Sequence, residues 1–86
     1  MAIAGDLEQL QTLQQTFARN GQSLEEVTSS IRAQLQNTRW EGPAADRFRN
    51  SWNGEFETAL RRLREALDDC ATEVSRRRDA LAQAGS

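Results

Sequence analysis

Residues 40–48 read Trp-Glu-Gly-Pro-Ala-Ala-Asp-Arg-Phe, and this stretch decides the fold because it interrupts two long helical patterns. Gly42 tolerates the positive backbone angle with which a helix often ends. Pro43 has a fixed backbone angle that suits the first turn of a helix, and the N–H it lacks would have no partner there. The sequence therefore predicts a turn over residues 40–43 with a helix on each side.

A long amphipathic helix, about 6–39, is predicted before this turn. Asp6 stands three residues before Gln9, which is the spacing of a capping box, so the helix is expected to begin at Asp6. Apolar residues then recur at intervals of three, four and seven residues, as on one face of a helix. They are Leu7, Leu10, Phe17, Leu24, Ile31 and Leu35. This face is the first half of a predicted seam between helices.

The dipeptide Asn20-Gly21 offers an alternative, because Asn-Gly is a common turn sequence. A turn at this point would give three helices. The seven-residue spacing nevertheless continues from Phe17 to Leu24, whereas a turn usually resets such spacing. We therefore expect an unbroken helix, in which Gly21 costs roughly 1 kcal/mol relative to alanine.

A second amphipathic helix, about 44–82, is predicted after the turn. Its apolar face carries the second half of the seam, namely Phe48, Trp52, Phe56, Leu60, Leu63, Leu67 and Val74. An aromatic recognition surface is the alternative for the three aromatic residues, but core packing is favoured because leucines continue the same face. Cys70 is expected to be a small buried apolar residue rather than a reactive thiol.

Two such helices form a hairpin without a closed interior. Helices of about 33 to 38 residues are rods on the order of 50 Å long, and each leaves one flank in water. The sequence therefore predicts an all-α fold with one domain over residues 1–86. This domain is an antiparallel two-helix hairpin that pairs with a second hairpin to form a dimeric four-helix bundle.

The composition argues against several classes of function. The 86 residues include 11 basic and 13 acidic residues, with no histidine and a net charge of −2. No broad positive surface is expected, so nucleic acid is not a predicted partner. Neither a metal site, a cofactor nor catalysis is expected, because histidine is missing and adjacent acidic residues point in different directions on a helix. The first residues do not resemble a cleavable signal peptide, and the single cysteine fits folding in the cytoplasm.

The stretch Trp40-Glu41-Gly42-Pro43-Ala44-Ala45-Asp46-Arg47-Phe48 resembles the Trp-x-Gly-x-Ala-Ala-x-x-Phe turn of the WXG-motif family. Members of this family are small proteins, similar to the early secreted antigenic target of mycobacteria, that are exported by type VII secretion. The resemblance implies a helical hairpin that forms a homodimeric or heterodimeric bundle and is secreted folded. The use of arginine as the only strong base suggests an actinobacterial source.

The resemblance implies a role in secretion for the turn residues Trp40, Gly42 and Pro43. In the family, the turn of one subunit lies beside the signal tail of the other, and together they form a surface for the secretion ATPase. Two interpretations of Trp40 stay open: its ring closes the end of the bundle, or it forms part of a docking surface. Turn chemistry alone is the simpler interpretation of Gly42 and Pro43.

The chain departs from the family pattern in its tail. Members that carry the export signal have Tyr-x-x-x-Asp/Glu there, whereas residues 80–86 read Ala-Leu-Ala-Gln-Ala-Gly-Ser and the sequence contains no tyrosine. Either the chain is truncated, or a partner supplies the tail. The second interpretation is favoured, so a heterodimer with another WXG-type hairpin is expected, with a homodimer as the alternative.

Two other functions stay open at the level of sequence. A secreted effector could insert its apolar helix faces into lipid when the bundle opens, so membrane binding is undecided. An intracellular adaptor or chaperone hairpin could instead mask the targeting helix of a larger toxin. Both would use the same hairpin.

Overall fold

A computed structural model describes residues 5–84 as a helical hairpin, and the ends of the predicted domain, residues 1–4 and 85–86, lie outside this range. Helix α1 runs over Leu7–Asn37, helix α2 over Pro43–Ser51 and helix α3 over Glu57–Ala84. A π-helical turn, Trp52–Phe56, joins α2 to α3, and no strand occurs among residues 5–84. The molecule is 65 Å long and 17 × 13 Å across, which is the shape of two helices lying side by side. The predicted all-α hairpin is confirmed.

Helix α1 begins at the predicted cap. The Asp6 carboxylate accepts hydrogen bonds from the backbone N–H groups of Glu8 and Gln9, at 2.9 Å and 3.1 Å. These two groups would otherwise lack partners in the first helical turn. The helix then continues without a break through Asn20-Gly21, so the three-helix alternative is excluded.

Gly21 is buried because α3 packs directly against it. A Cβ atom at this position would lie 2.9 Å from Oδ1 of Asp68 and 3.8 Å from Cγ of Arg64. The absence of a side chain therefore lets the two helices approach closely halfway along the hairpin. This contact gives the glycine a packing role that offsets its unfavourable helix propensity.

The sequence predicts one uninterrupted helix, about 44–82, but the structure has a π turn between α2 and α3. The backbone N–H of Glu57 bonds to the carbonyl oxygen of Trp52, five residues earlier. In an uninterrupted α-helix, residues eight apart point in directions that differ by about 80°. A π turn takes up one additional residue, which brings Phe48 and Phe56 back to one side of the arm. Their ring centroids lie 6.4 Å apart.

Few apolar side chains are buried in the described part of the chain. Ala45 and Trp52 are its buried apolar residues, at 0% and 7% exposure, and every other large apolar side chain keeps partial contact with solvent. The hairpin therefore has a seam rather than a closed core, as expected for two helices.

Candidate protein-interaction surface

The turn between α1 and α2 spans residues 38–42 and depends on glycine at its end. Gly42 caps α2 with φ 112° and ψ 174°, a combination that is essentially limited to glycine. Pro43 occupies the first position of α2, where its fixed φ suits the helix and its missing N–H costs nothing. The turn chemistry expected for Pro43 is therefore present, and Gly42 has the expected positive φ. It caps the start of α2, however, whereas the C-cap of α1, Thr38, has an extended backbone.

Trp40 lies in this turn with 40% of its surface exposed. Its ring centroid is 5.7 Å from that of Phe48, and the Arg49 guanidinium lies 6.0 Å from the ring centre. Phe48 also contacts Phe56, and Phe56 lies 6.4 Å from Trp52. We call Trp40, Phe48 and Phe56 the aromatic cluster, because these three exposed rings form one continuous surface at the turn end.

Trp52 turns inward and belongs to a polar network between the helices. Its indole N–H donates to Oε1 of Glu57 at 2.9 Å, and Arg32 donates to the same oxygen at 2.7 Å. The Glu57 side chain is only 13% exposed. The hydrogen bond from Arg32 lowers the pKa of Glu57 most; partial burial opposes this, and the Trp52 bond and the positive charges of Arg32 and Arg61 reinforce it.

Ion pairs between the two long helices define one face of the hairpin. Arg32 pairs with Glu57 at 2.7 Å, and Arg64 pairs with Glu25. We call these four residues the ion-paired face. An open groove of ≈ 220 Å³ runs between them, and Arg61 also lines it. Two of its three guanidiniums are engaged by carboxylates, so the groove is not a ready anion site.

An apolar residue directly precedes each of these four charged residues in the sequence. These neighbours are Leu24, Ile31, Phe56 and Leu63. Consecutive residues point about 100° apart around a helix. Because the two helices run antiparallel, moving one residue forward on either helix rotates the side-chain direction toward the same side of the hairpin. This side is the ion-paired face. Ile31, Phe56 and Leu63 therefore lie toward the opposite face, whereas Leu24 lies on the seam and also lines the groove.

We call this opposite side the apolar face. It comprises Leu13, Val27, Ile31, Phe56 and Leu63, whose exposed fractions range from 41% to 49%. Leu13 lies five full helical turns from Ile31 and so points in the same direction. Because Phe56 belongs to the apolar face and to the aromatic cluster, one apolar surface runs from the middle of the hairpin to its turn end.

The predicted seam residues separate by exposure. Trp52 is buried. The half-buried residues are Leu10, Phe17, Leu24, Leu35, Leu60, Leu67 and Val74. The exposed residues are Leu7, Ile31, Phe48, Phe56 and Leu63. The buried and half-buried residues join the two helices of one chain, whereas the exposed ones, apart from Leu7, lie on the apolar face or in the aromatic cluster.

Two interpretations of single residues need correction. Cys70 is exposed, so the expected buried thiol is wrong for the single chain. It stands seven residues after Leu63 and so points to the apolar side of α3, which one hairpin leaves uncovered. Core packing within the chain holds for Trp52 but not for Phe48 or Phe56, which are 43% and 45% exposed. Each helix of a two-helix hairpin has only one row of positions that faces the other helix. Near residues 48–56 of the second arm, Trp52 occupies this row.

Sequence reasoning missed Arg49, Arg32 and the acceptor role of Glu57. Arg49 donates to the carbonyl oxygens of Trp40 and Thr38. Glu57 pairs with Arg32 of α1 and not with Arg61, which lies one turn away on its own helix. An arginine shortly after a turn and a glutamate near a tryptophan were the available signals, and neither is specific.

Metal binding and membrane spanning are two further roles on which the described part of the chain bears. Within residues 5–84, no group of histidine, cysteine, aspartate and glutamate side chains could hold a metal ion. None of the helices in this range has the length and apolar character needed to cross a membrane.

Comparison with known proteins bears on the turn and on the whole hairpin. The family model described as "WXG100: Proteins of 100 residues with WXG" matches residues 2–86. The chain belongs to the WXG100 family. This family is known for small substrates of type VII secretion. No curated protein and no solved structure gave a significant match. In this WXG100 protein, the motif residues Trp40 and Gly42 are the exposed ring and the cap glycine of the turn described above.

Proposed function

We propose that this protein is a type VII secretion substrate, or the export partner of one, that acts through protein–protein contacts and not through catalysis. It folds in the cytoplasm, forms half of a dimeric four-helix bundle and leaves the cell folded. Membership of the WXG100 family supports the secretion class. The apolar face supports the dimer.

The apolar face is the single observation that carries the proposed pairing of two hairpins. Its five large side chains remain 41–49% exposed in the hairpin, and they form one side of the molecule rather than scattered positions. Contiguous apolar surface of this kind marks interaction sites in soluble proteins. A second hairpin packed at a shallow angle would cover this face along its whole length, as in a four-helix bundle.

The proposed partner is a different hairpin of the same family. The 86 residues contain no tyrosine and so hold no Tyr-x-x-x-Asp/Glu tail signal. We propose that the partner supplies this signal, which would lie beside Trp40 and form with it the surface that the secretion ATPase binds. A second copy of this chain is the alternative occupant of the apolar face.

Co-expression with the product of the adjacent gene tests this proposal. We expect the two chains to co-purify at a one-to-one ratio and to appear together in the culture filtrate of the native host. Deletion of either gene should remove both proteins from the filtrate. A chain that stays a folded monomer in the presence of its neighbour would contradict the paired-export model.

Sedimentation of the isolated chain separates the two possible partners. We expect a monomer or a weakly associating species when the chain is alone, and a stable dimer after the partner is added. Helix content measured by circular dichroism should increase on mixing, because covering the apolar face stabilises both helices. A stable homodimer of the isolated chain would instead support the second copy as the occupant.

A further inference from the structure

Arg49 contacts the turn through two hydrogen bonds and a ring contact. One arm of its guanidinium, Nη1, donates to the carbonyl oxygen of Trp40 at 2.7 Å, and the other, Nη2, donates to that of Thr38 at 3.1 Å. The same group lies 6.0 Å from the centre of the Trp40 ring, within the range of a cation–π interaction. The planar fork of arginine suits this double contact, whereas a lysine ammonium is a single point donor.

Backbone hydrogen bonds do not replace these contacts. Within the described turn, Thr38 N–H bonds back to Leu35 in α1, and Asp46 N–H bonds to Gly42 inside the α2 cap. Both bonds stay on their own side of the turn. The hydrogen bonds that tie residues 38–40 to α2 therefore come from Arg49.

Two side chains contact the Trp40 ring. Phe48 packs on it at 5.7 Å and Arg49 at 6.0 Å, while 40% of the residue stays in contact with solvent. An exposed indole attached to an extended turn would otherwise sample several rotamers, and a partner would have to order it on binding. Fixing it in advance removes that entropic cost.

We propose that Arg49 is a positioning residue that fixes the exposed Trp40 indole in the orientation required for recognition by the export machinery. This inference rests on the proposed secretion function. Arg49 acts by setting the path of the turn backbone and the direction of the ring, and pairing of the two hairpins through the apolar face does not depend on it.

Three variants test the proposal in the full chain bound to its partner hairpin. Arg49→Ala removes the fork, Arg49→Lys keeps the charge but not the planar double contact, and Arg47→Ala is the matched control on the exposed side of the same helix. We expect Arg49→Ala to reduce the amount in the culture filtrate on the order of tenfold, the equivalent of one charged hydrogen bond. Arg49→Lys should recover only part of this loss, and Arg47→Ala should match the wild type.

Two further measurements separate positioning from stability. Co-purification with the partner and the thermal midpoint of the complex should be nearly unchanged in Arg49→Ala. Nuclear magnetic resonance of the indole N–H groups should show a shifted, broadened Trp40 signal beside an unchanged Trp52 signal. Loss of export in proportion to loss of partner binding or stability would overturn the proposal, because Arg49 would then be only structural. An unchanged Trp40 signal would overturn it as well.

Failure of the underlying function has a different signature. If the wild-type pair does not reach the culture filtrate, the secretion proposal fails whatever Arg49 does. The Trp40 signal still decides whether Arg49 orients the ring, because that measurement uses the purified complex and needs no export. The two failures are therefore distinguishable.

Discussion

The ion-paired face and the apolar face are made by the same two helices but differ in how far one chain can complete them. On the ion-paired face, Arg32 and Glu57 find each other within the chain. On the apolar face, Ile31 and Leu63 remain 41% and 49% exposed. Polar groups can be satisfied pairwise or by water, whereas apolar surface needs a covering molecule. The single hairpin thus pairs charges between its helices on one side and leaves apolar side chains uncovered on the other.

The largest effect is expected on the apolar face. Leu63→Glu should weaken binding of the partner hairpin roughly 100-fold or more, because a carboxylate would be buried without a partner at the centre of the interface. The isolated chain should be little affected, since Leu63 is half-exposed there. Isothermal titration or analytical ultracentrifugation measures the change in Kd.

Thr72→Glu is the control for this prediction. It adds the same charge to the same helix at an exposed position outside the apolar face. Its Kd should stay within a few-fold of the wild-type value. Equal loss of binding in the two variants would mean that net charge, and not this face, governs pairing.

A second, smaller effect is expected at the turn between α1 and α2. Gly42→Ala should lower the free energy of unfolding of the complex by about 1–3 kcal/mol, because φ 112° with ψ 174° is a strained conformation for alanine. The space around Gly42 is open, so the loss would come from the backbone and not from a clash. Urea or thermal unfolding followed by circular dichroism gives the value.

Gly54→Ala is the matched comparison. Gly54 also has open space where a Cβ atom would lie, but its backbone is not in the positive-φ region. Alanine should therefore be neutral or stabilise the complex by up to about 1 kcal/mol. A similar loss at both glycines would contradict the strain argument for Gly42.

The ion-paired face should give a pH-dependent effect of intermediate to small size. The pKa of Glu57 is lowered from its ordinary value of 4.5, mainly by the bond from Arg32. The unfolded chain therefore binds the proton more readily. The contribution of Glu57 to folding stability is therefore complete above about pH 4.5, and it decreases as the pH falls through the lower pKa of the folded state.

Glu57→Gln tests this assignment, because glutamine keeps an acceptor for Arg32 and Trp52 but does not titrate. Its thermal midpoint should be lower than that of the wild type at neutral pH. The difference should shrink as the pH is reduced from 5 toward 3, in steps followed by circular dichroism. A difference that stays constant over this range would show that the carboxylate charge does not contribute.

Much of the hairpin could be predicted from the sequence because its signals are local. The Asp6 cap, the seven-residue spacing through Gly21 and the Gly42-Pro43 pair each act within a few residues of the chain. The π turn could not be predicted in this way. It accompanies the burial of Trp52 and the approach of Phe48 to Phe56, which no short pattern encodes.

The candidate surface was predictable in part. Periodicity identified Ile31, Phe56 and Leu63 but missed Leu13 and Val27. It also could not divide the apolar residues between the seam within the chain and the exposed face, because both sets recur with the same helical spacing. Arg49 was missed for a related reason. Its acceptors are backbone carbonyls of Thr38 and Trp40, and any residue in the turn would supply the same atoms.

The smallest effect is expected for an ion pair that lies outside both faces. Arg77 contacts Glu73 at 2.7 Å, the same distance as that between Arg32 and Glu57. The Arg77 and Glu73 side chains are 77% and 51% exposed, and the two residues lie one turn apart on the same helix. Arg77→Gln should therefore change the free energy of unfolding by no more than about 0.3–0.5 kcal/mol, and added salt should remove even this.

Arg32→Gln is the comparison for the small change in unfolding free energy expected for Arg77→Gln. The Arg32–Glu57 pair joins two helices, and its carboxylate is only 13% exposed and also binds Trp52. Its loss leaves a poorly hydrated carboxylate short of a donor, so the thermal midpoint should fall clearly further than in Arg77→Gln and should recover less in salt. Equal effects would imply that the bond length alone sets the contribution of an ion pair in this hairpin, and that closing the ion-paired face adds nothing to its stability.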